Sequence, residues 1–425
     1  MAHTTTRVLG AASILALSLT AAACGGDSGS SSSSSSNDAS TTSRGPITFV
    51  TGKDNSGVWA PTVAKWNAAH PNEKITVKEQ SDNADQQHDD IVQHMQAKDP
   101  SYDIVTVDVI WTPEFAAKGW LTPLEGNFKL DTAGMLEAPV KAATYNGKIY
   151  AAPYASDGGM LYYRSDLVKT PPKTWDELWS MCSIAKKNGI DCYSGQFKKY
   201  EGLTVNVSEA MNSFGAKIVD DSGKPTVNSP EAVAALKMLQ DNYKNGNIAK
   251  AALTYQEEEG RTAFESGKTL FHRNWPYIYN LLKTDGSSKV KGKFAVAPLP
   301  GKDGVGTSSL GGHSEAISTY SKHKATAFDF LKFIEEDTQQ KFFVQKGSIA
   351  SIKESVYSDP TLLKESPYLP TLLTSIKNAV PRPVTPFYPA VTTAIQDNAY
   401  PAIQGTKTPE QAVKDMQAAM EAASQ

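Results

Sequence analysis

Four pairs of residues in this chain set a charged or hydroxyl-bearing group beside an aromatic ring: Asp108 with Trp111, Tyr154 with Asp157, Trp275 with Tyr277, and Arg382 with Tyr388. Sugars ask for this mixture. Their hydroxyls need charged or amide groups that take several directed hydrogen bonds, while the C–H faces of the rings stack on aromatic planes. The patterns that announce common enzymes are missing: there is no G-x-S-x-G, no Walker-type glycine loop followed by Lys-Ser/Thr, and no H-E-x-x-H. His88 and His94 are six residues apart, which does not present two metal ligands on one helix face, so no metal or other cofactor is expected. Two other readings stay open. Asp108 and Asp157 could flank a scissile bond in a glycoside hydrolase. A binder of a non-sugar solute such as a peptide or an amino acid would want a fixed opposite-charge pair, whereas this set offers acids plus aromatics.

The segments around these residues explain why they fall in loops. Ile47-Thr48-Phe49-Val50 reads as a strand, followed by a Gly/Asp/Asn loop over 52–57 and a helix in which Trp59, Val63, Trp66 and Ala69 recur at helical spacing. A second strand is expected over 75–79, a second helix over 89–98 and a largely apolar third strand over 102–108. Further helices are read over 174–188, 230–245, 257–266, 324–346 and 409–423, with strands over 269–272 and 294–297. Such alternation argues an α/β fold with a parallel sheet covered by helices. Ligands of open α/β sheets bind beyond the carboxyl ends of the strands, which selects Asp54, Asn55, Asp108 and the segment 154–157. Trp59, Trp66, Trp175 and Trp179 sit at helical spacing and read as core. Trp275, between Asn274 and Pro276 at a strand-to-helix break, reads as a site residue.

Composition bounds the partners. With 42 Lys+Arg against 45 Asp+Glu in 425 residues, the chain has no basic excess for a polyanion, and nucleic acid is not an expected partner. The N-terminus carries Arg7 and then an apolar run, Val8 to Thr20, of signal-sequence length and too short to span a membrane. It ends in Ala21-Ala22-Ala23-Cys24-Gly25-Gly26, which resembles the bacterial lipobox. The expectation is a signal peptide over 1–23, a lipid on Cys24 and a Ser-rich tether over 24–45 that is too polar to fold. Cys182 and Cys192 then remain as an even pair in an exported, disulfide-permissive compartment, and a bridge between a helix and the next strand is expected.

Four ordered blocks carry a resemblance. They are 107–124 (Val107-Asp108-Val109-Ile110-Trp111, then FAAKGWLTPL), Pro153 to Leu178, Glu257 to Pro276, and Pro381 to Ala390 (PRPVTPFYPA). Together they resemble the extracytoplasmic solute-binding proteins of ABC sugar importers, specifically the maltose/trehalose group. The resemblance implies two α/β lobes of the periplasmic-binding-protein fold, joined by several hinge crossings with a ligand cleft between them. It implies a first lobe over 46–155 and 313–350, and a second over 156–312 and 351–425 with the C-terminal helices. It also implies a site: Asp108 and Asp157 as hydroxyl acceptors, Tyr154 beside them, Trp275 as stacking residue with Tyr277, Gly311 and Gly312 for close backbone approach, and Arg382 as a clamp. Asn55, Glu257 and Tyr388 are carried over too, and His88 stands where some relatives place an arginine. A lipid-anchored monomer would then capture an α-linked disaccharide or short glucoside, deliver it to a membrane permease, and perform no covalent chemistry.

Overall fold

Short β-branched and apolar runs build two separate sheets. The computed structural model describes residues 42–220 and 222–424, so the expected signal peptide, Cys24 and most of the serine tether lie outside the described residues. The strands are β1 (Ile47–Thr51), β2 (Ile75–Glu79), β3 (Ile104–Asp108), the two-residue β4 (Thr144–Tyr145) and β5 (Lys148–Ile149), β6 (Ala152–Ala155), β7 (Met160–Arg164), β8 (Asp191–Ser194), β9 (Thr269–Asn274), β10 (Phe294–Ala297) and β11 (His313–Ile317). One sheet has the order β2-β1-β3-β11-β6 and the other β10-β7-β9-β8, with β4 and β5 forming a small hairpin.

The expected parallel sheet is corrected. β1 pairs parallel with β2 and β3, but β11 runs antiparallel to both β3 and β6. The second sheet is mixed in the same way, with β8 and β9 parallel and β7 antiparallel to its neighbours. The cause is the path of the chain. β6 leaves the first sheet and β7 enters the second after only residues 156–159, and β11 returns after 298–312, so strands that cross between sheets arrive against the βαβ direction. These crossings lie side by side. Asp157 N donates to Gly311 O at 3.0 Å and Gly311 N to Asp157 O at 2.9 Å, while Val380 N donates to Ser308 O at 2.8 Å and Leu310 N to Val380 O at 3.0 Å. Gly312 adopts φ +114°, and a Cβ there would stand 2.2 Å from Ala155 O, so only glycine fits this join.

Period-2 alternation divides each sheet between two cores. Phe49 packs with Trp59, Trp66, Phe330 and Phe343 on one face of the first sheet, while Val50 packs with Val107, Trp111 and Phe115 on the other. In the second sheet Leu161 joins Trp175, Tyr193, Leu203 and Met416, and its neighbours Met160 and Tyr162 join Phe264, Ile278 and Leu372. Trp59, Trp66 and Trp175 are buried as expected, and Trp179, half-buried, stacks on Trp175.

Several elements differ from their sequence reading. The helix expected over 174–188 is two, Trp175–Ser180 and Cys182–Asn188, and that over 324–346 is Lys324–Glu335 and Asp337–Gly347. The second helix starts at Ala84, where the Asn83 side chain accepts from Gln86 N and caps it. Cys182 and Cys192 are joined as a disulfide with their Cα atoms 5.1 Å apart. The end of the expected tether is held to the body. Arg44 pairs with Glu73 at 3.0 Å and with Asp329 at 2.6 Å, and Gly45 N donates to Thr326 Oγ1. Among the described residues no helix is long and apolar enough to cross a membrane.

Candidate functional site

The two sheets and their crossings enclose a cavity of about 210 Å³. The first sheet supplies its floor. β3 ends at Asp108, whose Oδ1 accepts from Ile110 N at 3.2 Å, and β11 sets His313 directly opposite in register. Asp54 and Asn55 follow β1. The Asp54 carboxylate accepts from Gly57 N at 2.8 Å and Trp59 N at 2.7 Å, capping a helix whose own N-cap residue, Val58, has an apolar side chain that cannot cap it. Tyr154, at the end of β6, is buried with its ring edge-on to Trp59 at 5.1 Å, so Trp59 serves the core and also lines the cavity.

Across the cavity stands Trp275, half-buried, at the end of β9. Its backbone N–H donates to Asn274 Oδ1 at 2.8 Å, and Asn274 Nδ2 donates to the carbonyl of Glu257 at 3.1 Å, so one amide fixes both the tryptophan loop and the start of the helix Glu257–Glu265. Tyr200 donates to Glu257 at 2.7 Å and Tyr277 to Glu258 at 2.6 Å. Burial pushes the Glu257 carboxyl above its usual range. Gly311 allows the crossing to lie against the indole, since a Cβ there would be 2.7 Å from Trp275 Cζ3.

Asp157 lies on the first crossing beside Gly311. Its carboxylate lines the cavity and accepts no hydrogen bond from the described residues. Burial, reinforced by the negative charge of Asp108 and opposed by Arg273, pushes its pKa up to about 7.

Arg382 is buried between the lobes. Its Nη2 donates to Asp108 Oδ1 at 3.0 Å and its Nη1 to Glu201 Oε1, while Nε has no acceptor among the described residues. Burial opposes its charge, but Asp108, Tyr388 and Glu201 outweigh that and raise its pKa. The guanidinium that the resemblance implies as a hydroxyl clamp is thus largely occupied by two protein carboxylates.

The structure brings Asn55, Asp108, Tyr154, Asp157, Glu257, Trp275, Tyr277, Gly311, Gly312 and Arg382 around one cavity. Two residues of the set do not line it. His88 is turned to the neighbouring helix Thr112–Ala117, where its Nε2 lies 2.8 Å from Glu114 Oε2 and its ring stacks on Phe115. Tyr388 is buried behind Arg382 and donates to Glu201. Sequence reasoning passed over His313, Gln256, Glu258 and the run Tyr200-Glu201-Gly202, all of which line the cavity. Tyr200 and Glu201 show the same acid-beside-aromatic pattern as the four chosen pairs, and that signal would have selected them.

Two lobes of mixed α/β structure, joined by adjacent crossings and facing each other across a polar and aromatic cavity, define the class of two-lobed extracytoplasmic binding proteins. The profile of the bacterial extracellular solute-binding proteins matches residues 51–341, and the chain belongs to that family. A probable ABC transporter-binding protein of Deinococcus radiodurans is 34% identical over 342 residues, 76% of this chain and 80% of that protein. The maltose-bound structure of T. maritima MalE3 superposes with a TM-score of 0.85 and 33% identity, covering 88% of this chain and 99% of the other. The GacH receptor of Streptomyces glaucescens, solved unliganded and with acarbose, shares the fold at a TM-score of 0.80 and 21% identity over 89% of this chain and 98% of its own.

Proposed function

We propose that the protein is the sugar-capturing component of an ABC importer, taking an α-linked disaccharide or short glucoside of the trehalose or maltose type. The observation that carries this reading is that the half-buried Trp275 indole and the unbonded Asp157 carboxylate line one cavity side by side, both flanking Gly311. One offers a plane to the C–H face of a pyranose and the other an acceptor to its hydroxyls. The likeness to maltose-bound MalE3 supports the same class of ligand. Asp108, Asn55, Tyr154, Glu257 and Tyr277 complete the proposed contacts. Arg382 acts by holding Asp108 and Glu201 at their separation.

The same proposal divides the chain into lobes at 155/156, 312/313 and 350/351, with residues 1–23 removed on export and a lipid on Cys24 anchoring a monomer near its permease. Arg44, held to the first lobe, is then where the tether leaves the body. Titration calorimetry of the protein from residue 42 onward against trehalose, maltose, maltotriose, sucrose, cellobiose and glucose tests it. Micromolar binding of an α-glucoside, with the sugar recovered intact, is the expected result. No heat with any of them, in a folded protein, overturns it.

Hydrolysis is the competing reading, and one observation favours it. Asp157, with its pKa near 7, stands by Asp108 as an acid beside a carboxylate. Turnover of a chromogenic glucoside that disappears in Asp157→Asn would establish it.

A further inference from the structure

Arg273 on β9 is 1% exposed, so it cannot reach a ligand. Its Nε and Nη2 donate to the two carboxylate oxygens of Glu209 at 2.8 and 2.5 Å, and its Nη1 donates to Gln196 Oε1 at 3.2 Å. A bidentate clamp of this kind fixes the plane of a guanidinium as well as its place. Glu209, on the helix Glu201–Ser213, also accepts from Ser309 N at 3.0 Å, which ties the pair to the second crossing. The first crossing touches it too, since a Cβ on Gly159 would lie 2.5 Å from Arg273 Nη2. Above this assembly the Arg273 Cζ sits 3.9 Å from the centre of the Trp275 ring, a stacking distance at which a cation meets the negative face of an indole.

We propose that Arg273 is the positioning residue of the sugar platform: clamped by Glu209, it covers one face of Trp275, sets the tilt of the indole and presents the opposite face to the cavity. The arrangement also registers that platform on the backbone of both crossings, so that the ring and the hinge move as one body. Lysine at this position would keep the charge but lose the plane and the two-point bond.

This inference rests on the sugar-binding reading, and the test separates the two. The parent protein is first titrated with maltose and trehalose; a folded parent that binds neither overturns the sugar platform. In a second arm without ligand, the emission of Trp275 is isolated by subtracting the spectrum of Trp275→Phe, and its acrylamide quenching is measured. Arg273→Lys is expected to raise that quenching about threefold or more, and an unchanged rate overturns the positioning role. In the liganded arm, Arg273→Lys should weaken binding about tenfold when Trp275 is present and less than about twofold in a Trp275→Ala background. Equal losses in both backgrounds overturn the proposal, because a general structural defect would act without the indole. Should Arg273→Lys not fold, Glu209→Gln, which keeps the arginine and weakens its clamp, is read in the same two arms with the same criteria.

Discussion

Arg382 holds Asp108 with one nitrogen and Glu201 with the other, so a single guanidinium spans the end of β3 in the first lobe and the start of the helix Glu201–Ser213 in the second. The contact is not isolated. Asp85, on the helix Ala84–Gln96 of the first lobe, accepts from Glu201 N at 3.1 Å and thereby caps a helix whose own N-cap residue, Tyr200, makes no capping bond. Two first-lobe carboxylates therefore meet one second-lobe residue, one of them through Arg382. These contacts tie the two lobes together beside the crossings.

Removing that arginine leaves two carboxylates near each other with no counter-charge in a buried place. Arg382→Ala is expected to cost roughly 2–5 kcal/mol of sugar affinity, because the cost of the unpaired acids is added to the loss of their alignment. Arg382→Lys should fall between, since a single ammonium cannot span both acceptors as a planar fork does. Calorimetry on the two variants reads this directly, and parental affinity in both would mean the bridge has no part in sugar binding.

Asp157 makes binding depend on pH. Its pKa in the free protein is held up to about 7, and a hydroxyl that donates to it prefers the carboxylate form. Affinity should therefore be highest above pH 7 and fall by up to about tenfold per unit below it, with Asp157→Asn giving a weaker but flat profile. The folding linkage has the opposite sense. Because the folded value lies above the ordinary aspartate value of 3.8, the native state holds this proton more tightly than the unfolded chain between 3.8 and about 7, and the group's contribution to stability declines as pH rises through that window. Calorimetric titrations between pH 5 and 9 check the first statement, and urea midpoints over the same range check the second.

His88 should matter for folding only. Burial lowers its pKa, but the Glu114 carboxylate at 2.8 Å outweighs this and raises it. A raised histidine adds stability that is fully present below its unfolded value of about 6.5 and is lost as pH rises through the folded value. His88→Gln is thus expected to destabilise by about 1–2 kcal/mol at pH 5.5, and by less at pH 8.5, while sugar affinity stays parental. A large loss of affinity would place His88 in the site after all.

How much of this was legible follows from what each residue signals. The β-branched runs at Ile47, Ile75 and Ile104 and the helical spacing of Trp59 and Trp66 are local patterns, and they found the first βαβ frame. The crossing strands were not legible as local pattern, because β6 contains Pro153, β7 and β11 follow Gly158, Gly159 and Gly312, and their direction depends on pairing with distant segments. The helix Tyr388–Gln404 was hidden by its prolines. Pro389 stands in the first turn, where it costs nothing, and Pro401 lies inside the helix near its end. Within the site, acid-beside-aromatic pairs were readable one at a time, but the engagement of Arg382 by Glu201 was not. It joins residues 181 apart in the chain.

Gly311 and Gly312 offer a last test, because adjacent glycines here serve different purposes. At Gly312 the left-handed φ of +114° and the carbonyl of Ala155 forbid a side chain, so Gly312→Ala must move backbone and should lower the unfolding midpoint sharply. Gly311 has no such φ. Its missing Cβ would meet Trp275 at 2.7 and 2.9 Å and Asp157 Cβ at 3.2 Å, and the indole is the part that can give. Gly311→Ala should therefore cost less stability than Gly312→Ala while pushing Trp275 from its stack on Arg273, with a loss of roughly tenfold in sugar affinity and a changed tryptophan emission. Equal effects of the two substitutions on stability would mean that the crossing, rather than the platform, sets the need for glycine at both positions.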